Sequence, residues 1–203
     1  MQLQISRSIY EYWNSIRGDD PIPLRSALRP GPISGILPDL FILQWEDGED
    51  MTFRLAGTRV CTMLGTELGR QPFASVWGEC ESGYMPELVR RIAESGRPVC
   101  LDIRGYRQDY PPLAFEMVLL PVLDGETGAR RMLGSLAPVF ASAWQLVEPV
   151  GDLRLEGIRA LDGDHEDVEP EIAEEPASAP LLAGLWRRLV DWGAAPPARP
   201  ELY

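Results

Sequence analysis

The chain has 203 residues, 45% of them apolar and 25% charged, a balance that fits one folded domain plus a tail and excludes a wholly disordered body. Its formal charge of −12 argues against a nucleic-acid partner, whose phosphates need a basic footprint. All 19 basic residues are arginine, so P-loop, kinase and Schiff-base chemistry lack the lysine they require.

The only histidine, His165, lies in an acidic, proline-flanked segment, which leaves nothing in the core for a haem ligand, a Ser/His/Asp triad or a multi-histidine metal site. Cys61, Cys80 and Cys100 are scattered without a CxxC spacing, so neither a disulfide framework nor a structural zinc is indicated. No cofactor, metal or catalytic residue is therefore expected. Uninterrupted apolar runs reach only about four residues, far short of a membrane span, and the N-terminus lacks a signal peptide's apolar region. A cytoplasmic location follows as the expectation.

Ile5, Ile9, Tyr12, Trp13 and Ile16 recur at helical spacing before Gly18, which predicts a helix over residues 4–17 with one aromatic-rich face. That face packs on the domain's own sheet or pairs with a second copy, which makes Ile9 and Trp13 candidate homodimer contacts. Residues 19–37 hold Pro21, Pro23, Pro30 and Pro32 and read as an extended connector. Residues 40–45 and 51–56 read as two strands of a hairpin. The acidic Asp-Gly turn between them, 46–50, is either a solvated tip or a weak calcium loop.

A short helix is predicted over 58–64, closed by Gly65, and a longer one over 83–95, with Pro86 in its first turn and Gly96 past its end. Three alternating strands follow around Val99–Ile103, Phe115–Leu119 and Met132–Leu136. They are joined by turns at 107–112 and 124–131. Five strands grouped two then three, with short helices between, predict an α+β fold with an antiparallel sheet. The expected division is residues 1–36 as helix and connector, 37–145 as the main domain and 146–203 as a tail.

After Trp144 the pattern weakens. Residues 162–176 carry eight acids and read as a disordered acidic linker. Beyond it, Leu181, Leu182, Leu185, Trp186, Leu189, Val190 and Trp192 crowd a short amphipathic stretch, too apolar to stand free. It docks on the domain, fits a partner's groove or touches lipid, the last disfavoured because only Arg187 and Arg188 supply positive charge. Leu185, Trp186 and Leu189 are the candidate contacts to an unknown signalling protein.

The order of these elements, with Tyr12-Trp13 and Arg17-Gly18, Leu37-Pro38-Asp39-Leu40-Phe41, Phe53-Arg54-Leu55-Ala56-Gly57-Thr58, Leu68-Gly69-Arg70, Trp77 and Leu133-Gly134, resembles the stand-alone PAS-like family common in alphaproteobacteria. The resemblance covers about residues 5–140. It implies a five-stranded PAS-like sheet with flanking helices, and a sensory or scaffold module without its own output domain. It also implies what is missing: Cys61 and Cys80 lack the Asn-Cys-Arg-Phe-Leu type neighbours of a flavin-adduct domain, and no core histidine offers a haem ligand.

On that basis Phe53, Leu55, Cys61, Met63, Leu64 and Trp77 are candidate pocket-lining residues, together with Leu88, Leu101, Phe115, Met117 and Leu136. The same residues would equally fill an ordinary core. The competing function is a small α+β enzyme using Asp102 and Glu116 as acid and base.

Overall fold

The computed structural model describes residues 1–45, 51–107, 109–140 and 148–161. Its contacts divide the chain into Met1–Asp162 and Gly163–Tyr203. The acidic turn 46–50 and the tail contacts Leu185, Trp186 and Leu189 lie outside the described residues.

Helix α1, Gln4–Arg17, forms where the apolar spacing places it and buries Ile9 and Trp13. A hairpin of β1, Leu40–Trp45, and β2, Met51–Ala56, follows. Then come α2, Thr58–Leu64, α3, Glu79–Ser82, and α4, Met85–Ser95. The predicted helix over 83–95 is thus α4 alone, starting next to Pro86, while α3 is a separate short turn before it. Strands β3, Val99–Arg107, β4, Tyr110–Leu123, β5, Arg130–Pro138, and β6, Asp152–Ala160, complete the body.

The sheet is antiparallel with order β2-β1-β5-β4-β3-β6. It has six strands, not the five expected. The additional strand, β6, falls in the stretch assigned to the tail. Leu153 and Leu155 alternate with Arg154 and Glu156, but the register slips where Gly157 pairs with Asp102 and Leu155 with Ile103. The extra residue of that bulge, Glu156, breaks the period-two signal.

Two further expectations change. The connector is not extended throughout: short 3-10 helices occupy Arg25–Ala27 and Gly31–Asp39, which prolines tolerate better than an α-helix. The turn expected at 107–112 is shorter, because β4 already begins at Tyr110 and includes Pro111 and Pro112. Pairing with β5 starts only at Phe115, so the prolines need no N–H on that side.

Strand alternation assigns the two faces. Cys100, Val118, Leu120, Val122, Leu40 and Leu133 form one buried cluster with Ile9 and Trp13 of α1; this is the outer face. The intervening residues, among them Phe41, Leu101, Phe115 and Met117, point to the inner face, where α4 packs on β4 and β5. Trp13 adds a directed contact on the outer face: its Nε1 donates to the Pro121 carbonyl at 2.7 Å. No helix among the described residues is long and apolar enough to cross a membrane.

Candidate functional site

The inner face is aromatic and apolar. Phe41, Phe53, Phe73 and Trp77 stand in a chain of ring contacts with successive centroid distances of 5.7, 5.6 and 5.6 Å, spacings at which edge-to-face rings attract. Beside them, Leu101, Met117 and Leu136 lie in register across β3, β4 and β5, and all three are buried. Trp77 departs from the apolar character. Its side chain is buried, yet its indole Nε1 has no hydrogen-bond acceptor, a situation that costs about 1–3 kcal/mol. The following residue, Gly78, donates its N–H to the Leu153 carbonyl of β6 at 3.0 Å.

The residues that carried the family resemblance are joints of this architecture. A methyl group on Gly57 would lie 2.3 Å from the Pro38 carbonyl oxygen, and the Gly57 N–H donates to Leu40 O at 2.7 Å. FRLAGT and LPDLF therefore touch backbone to backbone, clamped further by the Arg59–Asp39 ion pair. Leu68 is fully buried, and after it Arg70 N–H donates to Phe53 O while Phe53 N–H donates to Gln71 O. This segment covers the free edge of β2. Gly134 lies under Phe41, whose ring would be 2.2 Å from an added Cβ.

The outer face holds the charged groups. Asp102 and Glu116 are cross-strand partners, and one guanidinium nitrogen of Arg159, Nη2, serves both: it lies 2.6 Å from Asp102 Oδ1 and 3.3 Å from Glu116 Oε2. The Glu116 side chain is completely buried. It also accepts backbone N–H groups from the lead into α1, Gln2 at 2.8 Å and Leu3 at 3.2 Å. Burial pushes its carboxyl up, but the nearby Ser6 hydroxyl and the two backbone N–H groups outweigh that and leave the pKa below its ordinary value. Burial, with the Glu116 charge second, pushes the neighbouring Cys100 thiol up to about 12. Asp102 and Glu116 lie on the outer face, where Arg159 bridges them, and not around a shared cavity on the inner face.

Most of the predicted lining is where the spacing put it. Phe53, Cys61, Met63, Trp77, Leu88, Leu101, Phe115, Met117 and Leu136 are buried. Leu64 is half-buried, and Leu55 is 60% exposed and lines nothing. The register of β1 and β2 shifts between Ile42 and Leu43, so the alternation carried from Phe53 to Leu55 does not keep both inward. Ile9 and Trp13 are buried against the chain's own sheet, the first of the two readings of that helix. Sequence reasoning missed Phe41 and Phe73 as inner-face residues; the signal was present as a large aromatic inside the predicted strand 40–45 and another between the predicted helices. It also missed Arg159, whose strand was not recognised.

The family model described as PAS domain matches residues 1–137, and the chain belongs to the PAS domain family. Among solved structures it is similar to a light-oxygen-voltage domain studied with a flavin analogue, at 18% identity and TM-score 0.40 over 53% of this chain and 80% of that one. It is also similar to the dark structure of the blue-light photoreceptor Aureochrome1 LOV, at 12% identity and TM-score 0.41 over 56% and 83%. A third is the Rhodobacter sphaeroides LOV protein, at 20% identity and TM-score 0.40 over 53% and 62%. At those TM-scores nothing further rests on the likeness. No curated protein matches.

Proposed function

We propose that this protein is a regulatory PAS module that takes a small, largely apolar molecule with a hydrogen-bond acceptor on the inner face of its sheet and reports through protein–protein contact. The observation that carries this reading is Trp77. Its buried indole N–H lacks an acceptor at the end of an aromatic chain, and its neighbour Gly78 is hydrogen-bonded to β6. An acceptor on a bound molecule would satisfy the indole and sit one residue from a strand that leads toward the tail. The surrounding side chains favour noncovalent binding.

The partner contact is proposed for Leu185, Trp186 and Leu189. A homodimer through the N-terminal helix is likewise proposed; within the single chain Ile9 and Trp13 lie against its own sheet. The enzyme reading finds no support, because Asp102 and Glu116 sit on the outer face bound to Arg159. The test is an absorbance spectrum of the purified protein followed by mass spectrometry of its denatured supernatant. A molecule recovered from wild type and depleted from Trp77→Phe supports the proposal. A supernatant free of any small molecule contradicts it.

A further inference from the structure

Glu116 joins three parts of the fold that are remote in sequence. Its Oε2 accepts from Gln2 N–H at the lead into α1 and from Arg159 Nη2 on β6, while its own strand, β4, lies in the sheet interior. Elsewhere under α1 the Trp13 indole donates to the Pro121 carbonyl at 2.7 Å and the Tyr10 hydroxyl to the Leu161 carbonyl at 2.8 Å, while the buried Ser135 hydroxyl has no partner. Apolar contact through Ile9 and Trp13 holds the middle of the helix, and the Glu116 carboxylate holds its beginning.

We infer that Glu116 is a shared latch that makes the docking of α1 and the pairing of β6 mutually dependent. If Arg159 leaves, a fully buried carboxylate loses its cation, and its hold on the Gln2 and Leu3 amides weakens with it. If α1 lifts, Glu116 loses two donors and keeps Arg159, so the strand carrying Arg159 is held by a differently solvated carboxylate. Coupling of this kind is reciprocal by thermodynamic necessity. The latch stands on the outer-face geometry alone and does not require a molecule on the inner face.

Amide hydrogen exchange on the full chain tests it. Arg159→Gln should speed exchange in α1 by about tenfold or more, the effect of losing one charged hydrogen bond. Arg159→Lys, which keeps a cation, should restore much of the protection. Arg104→Gln removes the other ion pair of β6, Arg104–Glu156 at 2.8 Å, without touching Glu116, and should leave α1 exchange unchanged. In the reverse direction, Trp13→Phe loosens α1 at its middle and should speed exchange at residues 157–160. Circular dichroism confirms that each variant is folded. Unchanged α1 exchange in folded Arg159→Gln, or equal α1 effects from Arg159→Gln and Arg104→Gln, would overturn the inference, as would α1 loosening in Trp13→Phe with no change at 157–160.

Discussion

Gly57 has no room for a methyl group, because the Pro38 carbonyl oxygen stands 2.3 Å from where Cβ would be and belongs to backbone that cannot swing aside. Gly57→Ala should destabilise the body by about 1–3 kcal/mol in urea unfolding, the usual consequence of overpacking. Gly69→Ala, with nothing within 4 Å, should change stability little. The thiols form a second residue-scale contrast. Cys100 is fully buried, with its pKa pushed up to about 12, whereas Cys80 is exposed. A thiolate-directed reagent at neutral pH should therefore modify Cys80 first and reach Cys100 only on unfolding. Peptide mapping after a timed exposure reads this directly, and early labelling of Cys100 would refute the burial described for it.

Glu116 links the residue to the element. Its pKa is lowered in the folded protein, so the unfolded chain binds the proton more tightly. The resulting stability is complete above the ordinary carboxylate pKa and is lost as pH falls through the lower folded value. Glu116→Gln should flatten that acid limb of stability and leave its shape near neutral pH unaltered. Strand β6 makes the next element-scale prediction. Truncation after residue 162 keeps β6, whereas truncation after 151 exposes the edge of β3, removes Arg159 and leaves Trp77 without its bridge to Leu153. The shorter chain should melt well below the longer one; equal melting temperatures would mean that β6 adds nothing to the sheet.

The same elements show what was legible in the sequence and why. α1, the β1–β2 hairpin strands, α2, α4 and the three central strands follow from side-chain periodicity, because each buries one face against a continuous core. β6 was lost because the Glu156 bulge breaks its alternation within nine residues. On the inner face, burial was readable for nine of the eleven candidate lining residues. Leu55 was misplaced because a register shift is set by cross-strand pairing, which lies outside any single segment. The outer-face cluster was not readable as a unit: Glu116, Asp102 and Arg159 are brought together by topology, and their polar positions on strands gave only the impression of a solvated face.

At the scale of the molecule, two opposed faces share one sheet. The inner face offers aromatic and apolar surface with an unpartnered indole donor at Trp77, and the outer face holds α1 through Glu116 and Arg159. A continuous set of contacts joins them: Trp77 and Gly78 to Leu153, along β6 to Arg159, then Glu116 and α1. Such a route becomes a signal only if both ends bias one equilibrium. If the inner face binds the proposed molecule, its occupation should be felt at α1 and β6. The most direct test is amide hydrogen exchange on the full chain as purified, repeated on the same protein after unfolding, dialysis and refolding to strip any bound molecule. Faster exchange is expected in both Gln4–Arg17 and Asp152–Ala160 once the molecule is removed. Loss of the molecule with exchange in those two segments unchanged would contradict it.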